Sequence, residues 1–352
     1  MIIMKGLLLH VGADTTNLGV VGPVFPDMSF EFLPINNTYG IEKRTYGDFE
    51  ATNRQYGQTL ADFLPSSIAK LPVHFDPDFD QHIYGQDLSP HPRAYTLRKL
   101  EKGDMLFFVA SLAPYDAVVY EQKDALLKNY QSRKKNKYLI GFFTVKGVSE
   151  IHALQSTPRL ALALLGIRVF EEEGEKLFDF SDLNEELRLL TVQGVIKKEG
   201  DVYRLSRELE VFRGQRSGEE IADWIGDLWP EDEASQRRLL ENGQFDMRIL
   251  SGEVTEEIAK RSHHYRRLRP LDLDHFILII GDATSSSRLF HAVPLTNGFK
   301  EYGYTLNELG RAILKRTSDS VRGARWIDED SVKLLAGEIA KFNCELTEKF
   351  PH

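Results

Sequence analysis

Two glycine-marked apolar runs set the first constraint on this chain. The stretches are "GDMLFFVASLAP", Gly103–Pro114, and "KYLIGFFTVKGVSEI", Lys137–Ile151. Both are continuous rather than alternating, the pattern of strands buried on both faces. A Gly-Asp turn at Gly103 and Asp104 feeds the first, and Gly141 inside the second marks a bulge or a close backbone approach. The polar excursion "YEQKDALLKNYQSRKKNK", Tyr120–Lys137, joins them and ends in a basic cluster at Arg133–Lys137. Two buried strands joined this way suit neighbours in a small mixed β-barrel.

Around that pair, "KGLLLHV", Lys5–Val11, predicts a first strand, and the stretch from Gly19 to Ile35 predicts further strands around Pro-Asp and Gly turns. Residues 36–95 run long and irregular, with Pro65, Pro72, Pro77, Pro90 and Pro92 and one helical piece near Tyr56–Lys70. A stretch of that kind wraps a core or carries function. Beyond Ile151, "TPRLALALLG" and "DLNEELRLLTVQ" have helical spacing, and "GVIKKEGDVYRLS" reads as a hairpin closed by Glu-Gly-Asp. Acidic amphipathic helices follow around Trp224 and Trp229, then a buried strand, then a helical tail from Tyr304 to Phe350 broken near "RTSDSVRGARW". The expected fold class is α+β. A small barrel domain at residues 1–155, carrying the long loop at 36–95, is elaborated by a mostly helical part at 156–352 with strands near 194–205 and 274–281.

Length supports two domains, since 352 residues exceed the usual size of one. A formal charge of -9 argues against coating nucleic acid through bulk electrostatics, although local patches remain compatible with it. The single cysteine, Cys344, excludes an intramolecular disulfide and a cysteine-rich zinc site, which fits a reducing, cytoplasmic setting. The first apolar run is too short for a membrane span. No cofactor, metal or membrane partner is expected.

Four constellations carry polar chemistry. In "HFDPDFDQHIYGQD", His74, Asp76, His82 and Asp87 can converge on a ligand, or do acid-base or metal work. The competing reading is a solvated loop whose aspartates cap turns. In "HVGADTT", Asp14, Thr15 and Thr16 follow a strand end and can line a pocket rim, or Asp14 can cap a turn. Asp14 and at least one residue of the 74–87 loop are expected to share one cavity. In "GDATSSSR", Gly281, Ser286, Ser287 and Arg288 can cradle a phosphate if a helix starts at Ser286 or Ser287, or the serines can serve as ordinary caps. In "RSHHYRRLR", Arg261, His264, Tyr265, Arg266, Arg267 and Arg269 suit phosphate contacts and base stacking, or an arginine network to the chain's own carboxylates. Neither a Gly-x-Ser-x-Gly elbow nor a Gly-x-Gly-x-x-Gly loop occurs, so no catalytic residue is assigned.

The pairing of "LRKLEKGDMLFF" with "YLIGFFTV" resembles the PUA-like small barrels, named after pseudouridine synthase and archaeosine transglycosylase, whose relatives bind RNA or modified DNA bases. The order "HVGADTT", "GPVFPDMSFEFLPI", "VHFDPDFDQHIYGQDLSP", "LRKLEKGDMLFFVASLAP" and "YLIGFFTVKGV" is similar to the nucleotide modification associated domain 3 group over about the first 150 residues. That resemblance implies recognition of a nucleotide or modified base, within nucleic acid, in a modification-linked system. Two alternatives stay open: an enzyme acting on a nucleotide or base through the His74–Asp87 loop and Asp14, and a non-catalytic subunit that binds a partner.

Overall fold

The structure is a computed structural model. It describes residues 5–13, 19–36, 44–87, 92–122, 124, 134–154, 196–199, 202–205, 244–262, 275–300, 303–316, 318–319 and 323–349. The helices expected at "TPRLALALLG", at "DLNEELRLLTVQ" and around Trp224 and Trp229 lie outside these residues.

The first half supplies strands β1 (Gly6–His10), β2 (Gly22–Val24), β3 (Ile35–Asn36), β4 (Val73–His74), β5 (Ile83–Asp87), β6 (Met105–Pro114) and β7 (Asn136–Leu154). The second half supplies β8 (Ile196–Glu199), β9 (Val202–Leu205), β10 (Gln244–Gly252), β11 (His275–Gly281), β12 (Ser287–Pro294), β13 (Thr296–Lys300), β14 (Gly303–Leu306), β15 (Ser318–Asp319) and β16 (Ala324–Ile327). The main sheet runs β16-β1-β6-β7-β11-β5, with β2 on β6 and with β10 and β12 on β7.

The two apolar runs are the adjacent central strands β6 and β7, with Phe107 opposite Phe142. Both strands bury side chains on both faces, which is why neither alternates. Asp104 then fixes where β6 starts. Its carboxylate accepts from Glu101 N at 2.9 Å and from Lys5 N at 3.2 Å. Its main-chain carbonyl accepts from Val145 N at 2.8 Å, while Gly103 takes a positive φ of 95° to make the turn. One residue therefore ties the beginnings of β1 and β6 to β7, so the Gly-Asp turn is architectural.

Gly141 serves the same junction in both expected ways. The β6–β7 register shifts beside it, between Phe108 and Val109. A Cβ there would lie 2.3 Å from the Phe79 ring and 2.9 Å from the Ser287 carbonyl. The bulge and the close approach coincide because the 74–87 loop lays an aromatic ring on the sheet at this point.

Among the described residues the sheet is not closed, unlike the expected barrel. Closure requires the two end strands to pair, yet β16 and β5 stand at opposite ends of the strand order. The tail is helical on both sides of the expected break, and the break itself holds a strand. "ARWI" is the strand β16, antiparallel to β1, and it forms at the break in the helical pattern. The segment after Gly281 is likewise a strand, β12, bound to β7. Only Glu308–Leu314 and Glu329–Phe342 are α-helical in the described tail, and Gly6 of β1 packs against Val332 of the longer one.

Chain contacts divide the protein into residues 1–151, 247–267 and 275–352, and residues 152–246 with 268–274. The chain leaves the first unit after Ile151 and returns to it at Met247, completing the sheet. The smaller unit contains the β8–β9 hairpin, with Glu199 opposite Val202 as the Glu-Gly-Asp turn implied. In the larger unit the irregular 36–95 stretch packs Tyr46, Phe63, Leu64 and Val73 with Phe25 and Leu33 in a second apolar cluster. Among the described residues no helix is long and apolar enough to cross a membrane.

Candidate functional site

A polar row crosses the three central strands where β1 ends. His10 is the last residue of β1, and its Nε2 lies 3.1 Å from Ser111 Oγ on β6. Ser111 stands opposite Lys137 on β7, and all three residues are buried. The chain leaves His10 through Gly12, whose φ of 80° and whose contact with Phe32 leave no room for a side chain. Asp14, Thr15 and Thr16 follow directly and lie outside the described residues, so the shared cavity expected for Asp14 is untested.

Arg93 connects this strand end to the 74–87 loop. Its Nη1 donates to the His10 carbonyl at 3.2 Å, and its side chain hydrogen-bonds Tyr84 on β5. Tyr84 donates its hydroxyl to Gln86 Oε1 at 2.9 Å. Burial pushes the Tyr84 phenol well up from its ordinary value; the nearby Asp76 and Asp87 carboxylates push the same way and Arg93 opposes them. Tyr84 therefore stays a protonated hydroxyl across the physiological range. Asp76 accepts from Gly85 N at 2.8 Å, and His74 Nε2 lies 3.9 Å from the other Asp76 oxygen. Of the loop residues singled out from the sequence, Asp76 and Asp87 thus lie near Tyr84, and His74 lies beside Asp76.

Neither Arg93 nor Tyr84 was singled out from the sequence. A usable signal was present: Pro92 occupies the first position of the helix Pro92–Leu97, where proline's fixed φ is preorganised, so the next residue begins an ordered turn.

His82 belongs elsewhere. It takes a left-handed φ of 55° and turns its ring to Phe143, with centroids 5.9 Å apart. Burial lowers its pKa and Lys349 adds to that, while Asp78, Asp80 and Asp282 pull it back up. Asp78 holds the intervening turn, accepting from Asp80 N, Gln81 N and Gln81 Nε2, each at 3.0 Å. Capping aspartates and a polar cluster therefore coexist in one loop. No group of three or more His, Cys, Asp or Glu placed to hold a metal ion occurs among the described residues.

The phosphate-cradle reading of Gly281, Ser286, Ser287 and Arg288 loses its premise. A strand, not a helix, starts at Ser287. Asp282 fills the turn itself, accepting from Thr284 N at 2.9 Å, and the Thr284 hydroxyl is the main cause of its lowered pKa. Ser286 is buried and accepts from Thr144 N at 3.1 Å, and Gly281 N donates to the His82 carbonyl at 2.8 Å. Arg288 donates to the Phe30 carbonyl at 3.1 Å and lies 3.7 Å from the buried carboxylate of Glu31. In "RSHHYRRLR", Arg261 pairs with Glu257 one turn back on an exposed helix. His264, Tyr265, Arg266, Arg267 and Arg269 lie outside the described residues.

Comparison with known families gives a match. The model of a family described as nucleotide modification associated domain 3 covers residues 5–206, which includes the strand end, Arg93 and the 74–87 loop. No curated protein and no solved structure matches the chain.

Proposed function

We propose, on the premise that the chain belongs to the nucleotide modification associated domain 3 family, that it recognises a nucleotide or modified base at the polar network around Arg93. The family links the chain to nucleotide modification; the finer reading draws on the site. The observation that carries it is the Arg93 bridge between the His10 carbonyl and Tyr84.

A guanidinium fork, a protonated phenol and the Gln86 amide supply the donors and acceptors that read base edges or hold a phosphate. Asp14, Thr15, Thr16, His74, Asp76 and Asp87 complete the proposed lining. Arg261, His264, Tyr265, Arg266, Arg267 and Arg269 are proposed as backbone contacts when the base is presented within nucleic acid. Replacing Arg266, Arg267 and Arg269 together by Ala then flattens the salt dependence of oligonucleotide binding.

An enzymatic reading draws on His10, within hydrogen-bond range of Ser111 at 3.1 Å, and on His74, whose ring nitrogen lies 3.9 Å from the Asp76 carboxylate. Both pair a histidine with a group that it can deprotonate or be oriented by. A screen of free nucleotides and nucleosides, followed by chromatography for product and calorimetry for binding, separates the readings. Binding without turnover supports recognition, and turnover abolished by His74→Gln supports the enzyme.

A further inference from the structure

The helix Glu329–Phe342 packs on the sheet through Val332, Leu335 and Ile339, which are buried. Its outward side carries Asp330, Lys333, Leu334, Gly337, Glu338 and Lys341, spaced alternately three residues and one residue apart, so they lie along one side of the helix. Leu334 is 39 % exposed there. Beside it a groove of about 530 Å³ runs to the helix Glu308–Leu314, lined by Leu309 and Ala312 together with Leu334, Glu338 and Phe342.

Gly337 is not required by the fold of one chain. A glycine inside a helix loosens it relative to alanine, yet a Cβ at this position would meet nothing within 4 Å among the described residues. A bare backbone on an outward helix side lets another helix come close. Leu334, Gly337, Glu338 and Lys341 are the i, i+3, i+4, i+7 set that forms a hole for a side chain of a facing helix.

The charges indicate which helix faces it. Laid antiparallel on a copy of itself about its midpoint, between Leu335 and Ala336, the helix sets Asp330 against Lys341, Lys333 against Glu338 and Leu334 against Gly337. Each charge meets its opposite and the leucine meets the glycine. Within one chain Lys333 pairs with Glu329 at 2.7 Å and Lys341 with Glu338. The outward side thus holds two carboxylates and two lysines, an excess of neither sign for a basic or an acidic partner, whereas a chain of formal charge -9 needs such a balanced face to meet its own copy.

We infer that this face joins two copies of the chain in a two-fold dimer, the helix Glu329–Phe342 crossing its copy antiparallel with Leu334 of one copy seated beside Gly337 of the other. The contact is isologous, so every pairing occurs twice. Leu334, with Phe342 and the groove at the edge, supplies the apolar packing; the charge pairs set register, because exposed ion pairs contribute little by themselves. The dimer goes beyond the nucleotide reading and does not depend on it.

The test is sedimentation equilibrium of the full chain at concentrations up to roughly 100 μM, well above the micromolar to picomolar range of standard interfaces. The wild type is expected to show twice the mass of one chain. Gly337→Gln fills the place of Leu334 from the other copy and is expected to raise the dimer Kd by about 30-fold or more, the mark of a hot spot. Its helix content by circular dichroism is expected to be unchanged, because the position has open space. Lys333→Glu and Glu338→Lys each set like charges face to face twice and are expected to raise the Kd by roughly 5- to 30-fold. The two together exchange the signs and are expected to return the Kd close to the wild-type value. The mass of one chain at every concentration overturns the inference, as does a dimer indifferent to Gly337→Gln, which joins through another face. Failure of the double exchange to recover affinity, with both single variants weakened, overturns the antiparallel pairing.

Discussion

The Arg93 guanidinium donates to the main-chain carbonyl of His10 at 3.2 Å. That contact joins a helix of the irregular region to the end of a central strand, and the same side chain reaches Tyr84. Replacing Arg93 by Ala is expected to weaken binding of the preferred nucleotide by roughly 1–3 kcal/mol, the usual worth of a good bidentate contact. Arg93→Lys keeps the charge but loses the planar fork, so it restores only part of that loss. Titration calorimetry on both variants measures the difference.

Gly141 has no room for a methyl group, with the Phe79 ring at 2.3 Å and the Ser287 carbonyl at 2.9 Å from a Cβ built there. Gly141→Ala is therefore expected to destabilise the protein by about 1–3 kcal/mol, the usual cost of overpacking. Urea unfolding checks it as a lower midpoint with an unchanged slope.

Asp104 accepts from two backbone amides in two different segments, at Lys5 and Glu101. Asp104→Ala leaves both donors without their acceptor and is expected to cost about 1–3 kcal/mol. Asp104→Asn keeps one acceptor oxygen and should cost less. Burial also raises the Asp104 pKa, so part of what its charge costs the fold is relieved in the Asn variant. Thermal unfolding of the two variants side by side gives the order.

His82 contributes a pH dependence of known sign. Its folded pKa lies below the ordinary 6.5, through burial first and Lys349 second. As pH falls, the unfolded chain binds this proton before the folded one does, so the site's stability is complete above pH 6.5 and declines as pH drops through the folded value. His82→Asn removes the titration and tolerates the left-handed backbone. The stability difference between wild type and His82→Asn should therefore shrink or reverse from pH 7.5 to roughly pH 5; a constant difference contradicts it.

The central strands were legible because burial on both faces writes a continuous apolar run, Gly103 because its turn needs a positive φ, and Gly141 because a ring and a carbonyl close on it. The open sheet was not. Strand order depends on pairings between distant segments, and "ARWI" showed in the sequence only as part of a break in the helical tail. The site was half legible. The clustering of His74, Asp76 and Asp87 follows from proximity in sequence, although nothing in the sequence showed that the left-handed turn at His82 sends that histidine to Phe143 instead. Arg93 and Tyr84 were missed because their roles depend on a contact with His10, which is 83 residues away from Arg93 in the chain. The phosphate cradle failed because its serines are consumed in joining β12 to β7, a pairing that local capping rules do not contain.

The most direct measurement is calorimetric titration of the protein with a panel of modified and unmodified mononucleotides, repeated on Arg93→Ala. The account predicts saturable binding of at least one member by the wild type and its loss, by about tenfold or more, in a folded Arg93→Ala variant. Binding that is indifferent to Arg93, or no binding by any member of the panel, would contradict it.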